Sequence, residues 1–451
     1  MSNEKKVLLE FFELVRQGKL NEFKEKSLVL PPVDIAEGLE EIESEDMLRI
    51  FRLLPKSISA DVFAYMTPSQ QQAIVESASG ADVRHLVDDM FLDDTVDFLE
   101  EMPASVVTKV LQNTDAKTRS LINQFLRYPE NSAGSLMTIE YVSLNDYYTI
   151  RKAIDHIRRT GPDKETIYTC FIVDEKRKLI GEVSLQKLIL AQEDALIRDI
   201  MEKNPTFVRT QDDQEQVAKE FRHYDLLSMP VCDTENRLVG IITVDDIVDV
   251  IQEENTEDFE KMAAIIPSGD EYLDTPVIRL TRNRLPWLML LMISATFTGA
   301  IITHFEEVLS TMVILTSFIP MLMDTAGNSG SQTSTTVIRG MALGEIEMRH
   351  LPRVLWKETR VSFLCGSALA LVNFIRVAII SGQPIGVAFT VSLAILLTVV
   401  LAKLVGCLLP MLAKRIKLDP AIMAAPMITT IVDACALLIF FALSSVILGL
   451  G

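Results

Sequence analysis

Apolar positions follow three patterns along the 451-residue chain. Over residues 5–128 they recur at helical spacing. Glu45-Asp46-Met47-Leu48-Arg49-Ile50-Phe51-Arg52-Leu53-Leu54-Pro55 is echoed 48 residues later by Asp93-Asp94-Thr95-Val96-Asp97-Phe98-Leu99-Glu100-Glu101-Met102-Pro103. A repeated amphipathic helix predicts an all-α repeat domain. From about Ala133 to Gln252 the apolar runs are shorter and repeat with an offset of 59. Cys170-Phe171-Ile172-Val173-Asp174, a turn and Leu179-Ile180-Gly181 match Met229-Pro230-Val231-Cys232-Asp233, a turn and Leu238-Val239-Gly240. Each copy predicts strand, Asp-bearing turn, strand and helix (185–191; 244–251), with another helix before it (150–159; 214–224). After Pro286 the runs lengthen into five candidate spans, residues 286–303, 308–339, 354–380, 385–412 and 420–450. A hydrocarbon layer of ~30 Å needs about 20 apolar residues, which each can supply.

Charge sharpens this division. Residues 1–274 carry 30 Lys+Arg against 54 Asp+Glu, whereas residues 275–451 carry 13 against 8. An acidic half excludes nucleic acid as partner and suits cations. Arg279, Arg282 and Arg284 precede the first span; Arg339, Arg349, Arg353 and Lys357 separate spans two and three; Lys414, Arg415 and Lys417 separate four and five. The positive-inside rule then places the N-terminus in the cytoplasm and the C-terminus outside. The opening Met1-Ser2-Asn3-Glu4-Lys5-Lys6 lacks the apolar core of a secretory signal, so the polar half is expected in the cytoplasm. Five scattered cysteines, with no CxxC pair, read as reduced and mostly buried.

Polar residues inside the spans are the candidate chemistry. Asp433 interrupts the apolar stretch 421–441, where a carboxylate is costly and faces a partner, a cavity or an ion path. Its alternatives are an ion path, with Thr429 and Thr430 a turn away and Pro426 disrupting the backbone, or pairing with Lys403 or Arg376. Span two contains Phe318 to Ser334, including Gly327-Asn328-Ser329-Gly330-Ser331-Gln332. That composition predicts a broken helix lining a cavity, or else a polar contact between helices. Acidic clusters crowd the soluble half: Asp93, Asp94, Asp97; Asp212, Asp213, Glu215; Asp245, Asp246, Asp249; Glu253, Glu254, Glu257, Asp258. They read either as solvated helix faces or as repelling surfaces that a divalent cation would hold together. Residues 256–284, amphipathic in their first half, predict a helix linking the two halves.

The 59-residue repeat resembles a tandem pair of cystathionine-β-synthase (CBS) domains. The whole chain resembles the MgtE family of bacterial magnesium channels. The matching motifs are Ala133-Gly134-Ser135-Leu136-Met137-Thr138, Arg237 to Asp246, Asn255-Thr256-Glu257-Asp258, Gly327 to Gln332 with Val337-Ile338-Arg339, and Leu418-Asp419-Pro420-Ala421 followed by Asp433. The implied fold is multidomain: an acidic all-α N-domain (1–130), α/β tandem CBS domains (131–254), a connecting or plug helix (255–284) and a five-helix all-α transmembrane pore domain (285–451). The implied protein is not an enzyme. It is a homodimer spanning the bacterial plasma membrane, the inner membrane where there are two, and it passes Mg²⁺ down its electrochemical gradient. Asp433, with Asn328, Gly327, Gln332 and Thr429, would line the pore and meet hydrated Mg²⁺. Regulatory Mg²⁺ would bind Asp93, Asp97, Asp213, Glu215, Asp225, Asp246, Asp249, Glu254, Glu257, Asp258 and Asp419 and favour closure. ATP is a possible CBS ligand, without a distinctive signature here. Ser331, Ala425 and Lys403 depart from the pattern; Lys403 is expected to snorkel or pair.

Two other classes compete. A membrane metalloprotease would need HExxH, which His85, His156, His223, His304 and His350 do not form. A proton-coupled or broader divalent (Co²⁺, Mn²⁺) transporter is the alternative; no GxxxxGK[ST] loop indicates a nucleotide-driven pump.

Overall fold

The computed structural model describes residues 12–40, 42–268, 272, 275–423 and 425–449. The sequence readings at residues 1–11, 269–271, 273–274 and 450–451, and for the Ala425 side chain, lie outside these. Chain contacts define two compact units, residues 1–251 and 252–451.

The first unit opens with short helices, from Leu20–Ser27 to Ala116–Phe125. The 48-residue repeat lies on two of them, Ser44–Phe51 and α1 (Leu92–Glu100), and buries the same positions in each, Ile50 with Phe51 and Phe98 with Leu99. Asp115 caps Ala116–Phe125 by accepting from the Lys117 and Thr118 amides at 2.6 and 3.2 Å, satisfying two of the amides that a helix start leaves unpaired.

The CBS pair follows as two sheets. β1 (Ser143–Asn145), β2 (Thr169–Val173), β3 (Leu179–Ser184) and β4 (Glu202–Lys203) form one; β5 (Val208–Arg209), β6 (Ser228–Cys232) and β7 (Leu238–Thr243) form the other. The duplication extends to register. Cys170 faces Val183 and Met229 faces Ile242, and each hairpin carries a bulge at the same place, after Ile172 and after Val231. The turns match too. Asp174 accepts from the Lys176 and Lys178 amides, and Asp233 from those of Glu235 and Arg237. Arg177 and Asn236 take the left-handed backbone at φ 62° and 61° that closes each turn. Val96, Leu99 and Phe125 share one core with Met137, Val217, Met229 and Ile242, so the helical domain and the second CBS copy are fused. The first copy keeps a separate core around Leu144, Cys170 and Val183.

Helix α2 (Val244–Met262) runs from the second CBS copy into the second unit. The single linking helix expected over 256–284 is not formed. α2 ends at Met262, and α3 (Val277–His304) begins directly after Pro276. Pro267 and Pro276 supply no backbone donor, which accounts for the interruption. Then come α4 (Ile319–Ala342), α5 (Leu351–Ile375), α6 (Ile385–Arg415) and α7 (Ala425–Leu448). Among the described residues, four segments can span a bilayer by length and composition: α3, residues 348–380, α6 and residues 420–448. α4 is too polar for that criterion, although its 24 residues cover about 36 Å.

The break expected within 318–334 lies earlier. A short helix, Glu306–Thr311, gives way to a tight turn over Val313–Phe318, and α4 then continues through Gly327-Asn328-Ser329-Gly330. Its glycines serve packing. A Cβ on Gly327 would come 2.8 Å from Thr429 Cγ2, and one on Gly330 would come 2.7 Å from Ile428 Cγ2. A Cβ on Gly406 would run into the Gly330 carbonyl, so α4 and α6 meet backbone to backbone, while α7 packs Thr429 and Ile428 onto the α4 glycines.

Candidate functional site

The pore candidates sit on α4 and α7. Asp433 is half-buried on α7, and its Oδ1 is buried without a hydrogen-bond partner. The position of a Cβ on Gly327 would lie 3.8 Å from that oxygen, which places Asp433 against the glycine face of α4. Neither expected cation reaches it. Lys403 is buried on α6 and donates to Thr333 Oγ1 at 3.3 Å; Thr333 donates to Glu358 Oε2 at 3.0 Å. A buried ammonium and a half-buried carboxylate thus share one hydroxyl, so Lys403 is held between helices by Thr333 and does not snorkel. Arg376 donates to Asn373 Oδ1 at 2.9 Å, and Asn373 donates to Ser392 Oγ at 3.0 Å.

Pro426 stands in the first turn of α7, where a missing N–H costs little, so the disruption expected there is absent. Thr429 and Thr430 both donate to its carbonyl, at 2.9 and 3.1 Å. The Thr429 hydroxyl is therefore engaged within α7 while its methyl meets Gly327. Asn328 donates from Nδ2 to Asp324 Oδ1 at 3.0 Å, and Gln332 is exposed. Asp324, Asn328, Gln332, Thr336 and Arg339 form an exposed polar stripe at about four-residue spacing along α4. Hydrocarbon would penalise that stripe, so it suits water or a second subunit. The sequence reading missed Asp324, although its i, i+4 relation to Asn328 was available.

The cytosolic carboxylates fall into unequal groups. Asp93 on α1 is 8% exposed. Burial first, then the charges of Asp94, Asp246 and Glu165, pushes it up to about 9. Asp94 is raised to about 6 by burial and by Asp246, Asp61 and Asp245. Glu165 is raised to about 7 by burial and by Asp245, Asp246 and Asp94. Asp246 is raised by burial, against the hydrogen bond from Thr243 Oγ1 at 2.6 Å. Unlike charges that find partners, these carboxylates face one another across the junction of α1 with the CBS pair. The structure therefore brings Asp93 to Asp246 and adds Asp94, Glu165 and Asp245. Glu165 could not be anticipated, because it stands alone between Lys164 and Thr166. Asp97 and Asp249 are exposed, on α1 and α2.

The other expected ligands are dispersed. Asp213 caps Gln214–Tyr224 by accepting from the Glu215 amide at 3.0 Å, Glu215 pairs with Lys219 at 2.6 Å, and Asp225 closes that helix at φ 52°. Glu254 and Asp258 lie half-buried on α2. Glu257 and Asp419 both meet Lys261, at 2.7 and 2.6 Å. Among the described residues, no three His, Cys, Asp or Glu side chains form a preformed metal cage. Mg²⁺ retains several waters and is met by one or two carboxylates, so spaced carboxylates still suit it.

Comparisons with known proteins agree with this architecture. Residues 319–443 match the family model described as a divalent cation transporter, MgtE. Residues 30–131 match the MgtE intracellular N domain, and 133–194 and 197–253 match CBS domains. The chain is 33% identical to the magnesium transporter MgtE of Thermus thermophilus over 451 residues, 99% of each chain. It is 31% identical to that of Bacillus subtilis over 97% of each. Among solved structures, the soluble part of a magnesium transporter covers 56% of this chain and 99% of its own, at 31% identity and TM-score 0.53. The cytosolic domain of the Mg²⁺ channel MgtE in complex with ATP covers 54% of this chain and 99% of its own, at 34% identity and TM-score 0.51. A helical N-domain, a CBS pair and apolar membrane helices in this order, matched almost end to end, make this chain a member of the MgtE family of magnesium transporters, a membrane transporter and not an enzyme.

Proposed function

We propose that the chain is a homodimeric channel passing Mg²⁺ inward through its membrane domain and closing when cytoplasmic Mg²⁺ is high. Asp433 carries the reading: a carboxylate at membrane depth with one buried oxygen lacking any hydrogen-bond partner, and with no ion pair to Lys403 or Arg376. Two such groups across a two-fold axis would meet a hydrated dication symmetrically. Gly327 gives the carboxylate room, Thr429 holds the α4–α7 contact, and Asn328 and Gln332 continue the polar stripe. A dication crossing ~100 mV gains about 4.6 kcal/mol, so influx requires no fuel.

Closure follows from the acidic junction. Asp93 and Asp246, helped by Asp94 and Glu165, repel one another; Mg²⁺ removes that penalty and stabilises the docked form. Asp97, Asp213, Glu215, Asp225, Asp249, Glu254, Glu257, Asp258 and Asp419 complete the regulatory set by family correspondence. The signal reaches the pore along α2, continuous from the second CBS copy to Met262. A cation shifts such an equilibrium only through its preference for one state. ATP in the CBS pair is an allied proposal, supported by the relative that binds it. The N-terminus lies in the cytoplasm and the C-terminus outside.

Liposome flux tests the pore. Asp433→Ala should reduce Mg²⁺ uptake to background while the protein keeps its oligomeric state in detergent. Uptake at the unmutated rate would refute the assignment. Wild-type flux that requires a pH gradient would favour proton coupling over a channel.

A further inference from the structure

Lys261 lies near the end of α2 and is one-fifth exposed. Its ammonium is 2.7 Å from Glu257 Oε1, one turn earlier, and 2.6 Å from Asp419 Oδ2, which follows α6. The other Asp419 oxygen accepts from the Ala421 amide at 2.8 Å, which starts the short turn Pro420–Met423. Asp419 is thus fixed from both sides, one oxygen by backbone and the other by a side chain from α2.

Two carboxylates converging on one point need a cation there. The chain supplies its own. An ammonium in contact with both oxygens occupies the space between them, so neither a bare nor a hydrated dication can take the same place. We infer that Lys261 is a positioning residue, a tethered cation that holds α2 to the start of the Asp419 turn in place of a bound divalent ion. This rests on the proposed reading of Glu257 and Asp419 as a gating contact, and refines it. The contact persists when Mg²⁺ falls, and Mg²⁺ binds it only after displacing the lysine. The gate's dependence on Mg²⁺ must then arise elsewhere, foremost at the Asp93–Asp246 junction.

Amide hydrogen exchange on the full-length protein in detergent, with EDTA or with millimolar Mg²⁺, tests this without measuring flux. In the wild type, peptides over 255–263 and 416–423 should exchange at rates within about twofold between the two conditions. Lys261→Gln should speed exchange there by about tenfold in EDTA, as expected for a lost charged hydrogen bond, and Mg²⁺ should restore protection. Lys261→Arg should behave as wild type, which a role in helix packing alone would not predict. Unchanged exchange in Lys261→Gln overturns the inference. So does protection that is lost and not recovered with Mg²⁺, since the lysine would then be a pin and not a stand-in for an ion. Peptides over 92–100 and 244–249 report separately on the sensor. If they gain no protection with Mg²⁺ in either protein, the sensor reading fails while the Lys261 result stands.

Discussion

In residues 12–251 carboxylates crowd one another. Asp93, Asp94, Glu165 and Asp246 share one junction, and desolvation and like charges raise all four above the usual carboxylate range. Over residues 275–449 carboxylates are sparse. Glu358 reaches Lys403 through Thr333, and Asp419 meets Lys261, whereas Asp433 keeps a buried oxygen unpaired. The difference reflects solvent. Beside water, repulsion can be stored and released by protons or ions at modest cost. Between membrane helices an uncompensated charge is too expensive to keep unless an ion pathway requires it. Repulsion in the first region suits sensing, and one isolated charge in the second suits conduction.

The largest test removes a buried cation. Lys403→Met should leave Thr333 and Glu358 without their ammonium and destabilise the membrane domain by about 1.5–3 kcal/mol, read as a lowered melting temperature in detergent. Lys403→Met with Glu358→Met should regain most of it. If the single change is silent, the ammonium does not hold Thr333 and Glu358 as described. In the acidic junction the sign reverses. Asp93→Asn removes a buried, repelled carboxylate and should stabilise the Mg²⁺-free protein by about 2 kcal/mol, while shrinking the stabilisation gained from Mg²⁺. Loss of stability in EDTA would contradict the junction.

A pH series sharpens the contrast. The folded junction binds protons more tightly than the separated one, so its stability is greatest below about pH 4 and is lost as pH rises through the raised values, about 6 for Asp94, about 7 for Glu165 and about 9 for Asp93. In EDTA, protease protection of residues 92–100 should therefore fall between pH 5 and 9 (on the order of those values), and Mg²⁺ should flatten the fall. The smallest effect belongs to a solvent-facing pair. Arg16→Ala, which breaks the exposed Arg16–Asp46 contact at 3.1 Å, should change stability by about 0.5 kcal/mol or less in urea denaturation.

Much of this was legible in the sequence because it depends on period. The 59-residue offset carried the paired sheets down to matching bulges, and the 48-residue offset carried the helical repeat. Apolar length located the membrane helices. What escaped depends on contacts remote in sequence. Glu165 joins Asp93 through folding, with no local cue. Lys403 looked anomalous because Thr333 and Glu358 lie on other helices. In the second span the sequence left open a broken helix or a contact between helices, and only folding shows that Gly327 and Gly330 make room for Thr429 and Ile428. Pro426 was read as a disruption because its place in the first turn was not visible.

Where Gly330 meets Gly406, peptide groups touch with no side chain between them. Side chains can change rotamer and lubricate sliding; bare backbone cannot. The seam acts as a weld between α4 and α6, whereas α7 is held to α4 by the Thr429 and Ile428 side chains and keeps more freedom to shift.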